Sequence, residues 1–219
     1  MSDDASDENP GFDEEISKHM LAAGDDDAQI YASLIGDINT AFDLFDNTDS
    51  SDAAFGSEDV IFAGDVVGNA DGPEDWDRIA IVRYPTRKSF IEMQSRKDFG
   101  EKHVHKAAGM KRTIIVCCRP EDLSLDTRER PTPSDGQFLT MVVRRNIDNQ
   151  TAFNAIPNAK NFYAEGTIIG DGRKWDTVQF ANATSPDDYN KLVTSLAPQV
   201  ASGDAYVIGI RASLNAITQ

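Results

Sequence analysis

WDRIAIVRYPTRKSFIEM, residues 76–93, and WDTVQFANATSPDDYNKL, residues 175–192, open on the same Trp-Asp pair and keep step without a gap. Phe90 falls on Tyr189, and Met93 falls on Leu192. Upstream, FAGDVVG (62–68) parallels YAEGTIIG (163–170) with a small offset. Self-similarity of this length marks one supersecondary unit used twice. Two such units can pack their sheets together and enclose a pocket.

In the first copy, residues 76–84 alternate as a strand does. Ile79 and Ile81 share a face with Arg83, and Trp76, Ala80, Val82 and Tyr84 share the other. Pro85 stops the run, and Thr86 caps a predicted helix over 87–98. Strands are expected at 60–67 and 112–118, with NADGPED as the turn between the first two. Further upstream, 16–23 (ISKHMLAA) reads as a first strand. Ile30, Leu34, Ile38, Phe42 and Phe45 are spaced by four, four, four and three. That stripe predicts an amphipathic helix over 28–46, with Asp25, Asp26 and Asp27 at its N-terminus. The second copy gives strands at 138–143, 163–169, 175–181 and 205–210, and helices at 149–156 and 189–200. The order in each copy is β-α-β-β-α-β, the ferredoxin-like arrangement. The fold class is therefore α+β: two ferredoxin-like modules forming a pseudo-dimeric α/β barrel. Residues 1–15 read as an acidic disordered tail, 16–119 as module 1, 120–136 as a Pro-rich linker and 137–219 as module 2.

A chain of 219 residues has room for two domains of about 100 residues. No apolar run approaches the ~20 residues of a membrane helix, and the N-terminus has no signal-peptide pattern. Cys117 and Cys118 are adjacent, point to opposite faces of a strand and cannot easily bridge. They read as small buried hydrophobes in a reducing cytoplasm. The formal charge of −16 is uneven: residues 1–75 carry 21 acids and one base, residues 76–219 carry 16 acids and 20 bases. So acidic a chain is a poor partner for nucleic acid, and nothing calls for a membrane.

WDRIAIVRYPTRKSFIEM, followed by HVHKAAGMKRTIIV, resembles the domain-of-unknown-function-1330 family of the dimeric α/β-barrel (ferredoxin-like) superfamily. The likeness rests on Trp76-Asp77, Val-Arg-Tyr-Pro at 82–85, Glu92-Met93 and Ala-Ala-Gly at 107–109. It implies that two modules pair into a barrel, usually by dimerisation. Here the second copy supplies the partner within a monomer, or the chain forms a homodimer. Superfamily relatives include haem-degrading monooxygenases, chlorite dismutases and muconolactone isomerases. The family itself implies fold rather than chemistry.

Candidate chemistry centres on the first copy. A barrel-facing Arg83 needs an anion: a ligand carboxylate, or Glu92 or Asp65. Tyr84 and His103 are further candidate ligand-binding residues, with His105 as a catalytic acid–base group. His103 and His105 share a face only if extended, and nothing nearby completes a metal set, so no metal is assigned. Asn47, Asp49, Ser51 and Glu58 echo a calcium loop that lacks its turn glycine. No phosphate loop, nucleophile elbow or zinc-helix motif is present, and no cofactor is called for. The expected function is binding of a small apolar or carboxylate-bearing ligand between sheet and helices, with cofactor-independent catalysis as its extension. The competing class is an interaction protein acting through its acidic first third. A third reading is haem binding through a His ligand. The second copy, which lacks counterparts of Arg83 and the two histidines, reads as a structural half.

Overall fold

A computed structural model describes residues 30–38, 59–69, 76–86, 88, 90, 110–127, 136–170, 172–181, 183 and 185–218. These residues form eight strands: β1 (Ile30–Ile38), β2 (Asp59–Asn69), β3 (Arg78–Tyr84), β4 (Met110–Pro120), β5 (Phe138–Arg144), β6 (Lys160–Ile169), β7 (Thr177–Ala181) and β8 (Ala205–Asn215). Helices α1 (Asn149–Ala155) and α2 (Pro186–Ala201) join them, with a 3-10 turn at Leu123–Thr127. Lys88 and Phe90 are helical, where a helix over 87–98 is expected. Residues 1–15, 16–23 and 47–58, for which a tail, a strand and a loop are expected, lie outside the described residues.

The predicted helix over 28–46 is corrected: residues 30–38 are a strand. A spacing of four also keeps Ile30, Leu34 and Ile38 on one face of a strand, so periodicity alone could not separate the two. Pairing decided it. β1 runs antiparallel to both β3 and β4, with Leu34 opposite Ala80 and Ile115. Two full ladders outweigh a marginal local helix preference.

The strands close into a barrel in the order β1-β3-β2-β8-β5-β7-β6-β4, and each pairing is antiparallel. The first four lie as β4-β1-β3-β2 and the last four as β8-β5-β7-β6, which is one order used twice. The seams between the halves are β2–β8 and β4–β6. The repeated Trp-Asp is repeated in structure: Val66 N donates to Asp77 O at 2.8 Å, and Ala164 N donates to Asp176 O at 2.9 Å.

Among the described residues, the barrel interior is mainly apolar. Ile79 and Ile81 of β3, Ile114, Val116 and Cys118 of β4, Leu139, Met141 and Val143 of β5, and Val178 and Phe180 of β7 belong to one buried cluster. Phe62 of β2 reaches across the lumen to Phe180, with ring centroids 4.9 Å apart. Eight strands leave a space that side chains can just fill. Trp76 joins this cluster rather than the face of Ala80, because β3 begins only at Arg78 and strand alternation does not reach back to it. A second cluster lies on the outer face, where Val142, Ala181 and Val207 meet Leu196 of α2.

The ends of α2 follow from its sequence. Ser185 caps it by accepting from Asp188 N at 3.2 Å, Pro186 opens the first turn, and Asp187 and Asp188 suit the positive helix end. Ser185→Ala should cost about 1 kcal/mol, a fall of about 2–4 °C in melting temperature by calorimetry.

Candidate functional site

Arg83 faces the lumen, as its alternation with Ile79 and Ile81 requires, and is 8% exposed. Its Nη1 donates to Leu125 O at 2.8 Å and Asp126 O at 3.3 Å. Asp65 pairs with Arg78 instead, at 3.1 Å. Arg83 thus ties β3 to the 3-10 turn, whose Leu125 is 1% exposed and belongs to the interior cluster. This turn falls in the stretch expected to be a linker and closes one end of the barrel with the buried Ile217. Tyr84 leaves the strand on the opposite face and meets Phe90 edge to face at 5.0 Å. The structure therefore does not bring Arg83 and Tyr84 together. His103, His105 and Glu92 lie outside the described residues. Among the described residues, no three His, Cys, Asp or Glu side chains are grouped to hold a metal, and no helix is long and apolar enough to cross a membrane.

Both cysteines are free and buried. Burial raises the Cys118 thiol well above its ordinary pKa, with Cys117 and Glu165 adding to the shift. A thiol held protonated in an apolar core is a poor nucleophile.

The described polar chemistry is concentrated in the second half, which sequence reading had treated as structural. Thr140, Arg144, Thr177 and Gln179 are each no more than 2% exposed. By strand alternation all four lie on the outer face, opposite the lumen. Arg144 sits beside Thr177, and Thr177 beside Tyr163, along one row across β5, β7 and β6. α1 is held close by its N-cap, Asp148, which accepts from Thr151 N at 2.9 Å. The Thr151 hydrogen bonds hold the Asp148 carboxyl below its ordinary pKa. Phe153 of α1 packs on Tyr163 at 5.0 Å.

Arg144 Nη2 donates to Ala152 O and to Gln179 Oε1. Gln179 donates to Asn161 Oδ1 at 2.8 Å, and Asn161 donates to Glu121 Oε2 at 2.7 Å. Two amides thus carry a one-way chain of donors from a buried cation to an exposed carboxylate. Such chains polarise each bond in turn. Among the described residues, no carboxylate pairs with Arg144 itself. Its Nε, Thr140 Oγ1 and Thr177 Oγ1 are buried without a hydrogen-bond partner. Burial lowers the Arg144 pKa from its ordinary value. A weak signal was present in sequence, since Thr140, Val142 and Arg144 share a face. It was masked because Val-Val-Arg-Arg (142–145) looks like a strand running out into water.

No protein-family model and no curated protein matches the chain. Solved structures with a similar fold include a crystal structure of an anthrone oxidase-like protein. It shares 7% identity at a TM-score of 0.51, covering 87% of this chain and 92% of that one. A protein provisionally named a monooxygenase, from Lactobacillus acidophilus NCFM, shares 11% identity over 87% of this chain and 96% of that one, at a TM-score of 0.38. The first likeness shows a shared fold, an antiparallel α+β barrel. The resemblance to the domain-of-unknown-function-1330 family finds no match at family level.

Proposed function

We propose that this chain is two ferredoxin-like modules in tandem, closed as a pseudo-dimeric barrel, and that it binds a small carboxylate-bearing ligand between sheet and helix in its second half. The strand order used twice and the matched Trp-Asp hairpins support the duplication. The closure of β2 on β8 and of β4 on β6 within one chain supports internal supply of the partner sheet. The observation that carries the ligand reading is the buried Arg144 guanidinium, with an unpartnered Nε and, on its cross-strand neighbour Thr177, an unpartnered hydroxyl. Desolvating a guanidinium costs several kcal/mol, and two neutral acceptors on one nitrogen offset this only in part. A ligand carboxylate at the Nε edge supplies the missing charge and acceptors. Arg83, already bonded to the closing turn, serves the barrel end. Acid–base work by His105 is a separate proposal, tested by turnover in His105→Ala.

The test is calorimetric titration with a panel of aliphatic monocarboxylates. Arg144→Met should weaken binding about 10- to 100-fold, the equivalent of one or two charge-assisted hydrogen bonds. Its stability should fall by about 1–3 kcal/mol, for the acceptors left behind on Gln179 and Ala152. That is less than the ~3–5 kcal/mol of breaking a buried ion pair, because no anion is stranded. Equal carboxylate affinity in wild type and Arg144→Met would overturn the reading, as would no binding by either.

A further inference from the structure

The end of the barrel away from the 3-10 turn is built differently. Trp76 stands just before β3 and Trp175 just before β7, at equivalent places in the repeat. Tyr206, near the start of β8, lies between them, with centroids 5.9 Å from Trp76 and 4.9 Å from Trp175. Two cations cover these rings. The Arg112 guanidinium carbon is 4.6 Å from the Trp76 centroid, and that of Arg173 is 4.6 Å from Tyr206 and 5.0 Å from Trp175. The tryptophans are 3% and 1% exposed, while both arginines are half-buried and reach solvent. Arg173 Nη1 also lies 3.5 Å from Gly203 O, at the edge of hydrogen-bond range.

Cation–aromatic stacking accounts for the ring faces. It does not account for the indole edges. Trp76 Nε1 and Trp175 Nε1 are both buried without an acceptor. At repeat-related positions and each beneath a cation, they leave two buried indole donors without an acceptor at one end of the barrel. A guanidinium stacked on a ring still presents N–H groups in its own plane, outward from the ring.

We propose that this barrel end is a binding site for a small planar carboxylate, held by Arg112 and Arg173 with its oxygens answering the indole N–H groups. It is distinct from the Arg144 site, because Arg144 lies on the outer face of β5 and these rings belong to the interior cluster. Arg112 continues the inward face of Ile114 and Val116 on β4, which places a cation at the mouth of the lumen.

The chain contains two tryptophans, Trp76 and Trp175, so its indole fluorescence reports on this end directly. Benzoate titrated at constant ionic strength should shift or quench that emission saturably. Benzamide, of the same shape but uncharged, should bind at least tenfold more weakly. Arg112→Gln and Arg173→Gln should each weaken benzoate at least tenfold. Arg112→Lys and Arg173→Lys keep the charge and lose the planar fork, and should fall between. Ser185→Ala, at the cap of α2 and outside both sites, should leave the benzoate response intact. No saturable response, equal response to benzamide, or undiminished affinity in the folded arginine variants would overturn the proposal and leave a stacked barrel plug.

Discussion

Phe180→Ala should lower the melting temperature by roughly 6–20 °C, the equivalent of ~3–5 kcal/mol for a chain of this size. Phe180 is 0% exposed and stands on β7. It touches Phe162 of the adjacent β6, at 6.1 Å between centroids, and Phe62 of β2, at 4.9 Å. β8 and β5 lie between β2 and β7, so the contact with Phe62 crosses the lumen and links the two halves through their middle. Truncation removes the transfer energy of a full aromatic ring and leaves a void that a closed barrel cannot collapse to fill. A rigid ring of hydrogen-bonded strands gives the site little freedom to relax. Thermal unfolding followed by calorimetry and near-ultraviolet dichroism checks this. A change below about 1 kcal/mol would mean that the lumen is not packed as described.

Gly64→Ala should cost about 1–3 kcal/mol or more, and its effect should be concentrated at one seam. A Cβ there would stand 2.5 Å from Ile210 Cγ2, 2.8 Å from Arg211 O and 3.1 Å from Ala212 Cα. Two of these atoms are backbone of β8 and cannot turn aside. The β2–β8 ladder must part locally, and it already shifts register between Ala63 and Gly64. Alanine stiffens the unfolded chain by about 0.4–1 kcal/mol in the opposite sense, which the clash exceeds. Gly68→Ala, also on β2, is the control. The three atoms nearest its new Cβ would all belong to the Tyr189 side chain, at 3.1–3.2 Å, and that side chain can shift. Urea unfolding should separate the two variants. Hydrogen exchange should show lost protection on β2 and β8 in Gly64→Ala, with β5 and β7 unchanged. Equal stability of the two variants would show that the seam yields easily.

The legible parts of this chain were those whose sequence signals are local. Phe138–Arg144 alternates without ambiguity, α2 has a serine cap and a proline at its start, and Gly172 sits at φ +87° in the turn between β6 and β7. These elements formed where expected because hydrogen bonding and side-chain period agreed. Residues 30–38 failed for a local reason as well: a spacing of four serves both a helix and a strand. Only the presence of β3 and β4 on either side selects between them, and that is a property of the folded chain.

The candidate sites divide the same way. Alternation alone put Arg83 on the face of Ile79 and Ile81 and Tyr84 on the other, and the structure keeps them apart. Sequence did not show that the stretch after β4 turns back to offer Arg83 its carbonyl partners. Nor did it show Arg144 as a buried cation, because burial there comes from α1 folding back over the end of β5 at Arg144. By itself, the sequence determined the α+β order of the second half and the facing of residues within Arg78–Tyr84 and Phe138–Arg144, since these depend on backbone period and local turn chemistry. Only the tertiary structure decided which strands became neighbours, which end of the barrel was closed and which polar atoms were left without partners. Those outcomes depend on contacts between residues far apart in the chain, such as Phe62 with Phe180 and Arg144 with Gln179, and no local pattern encodes them.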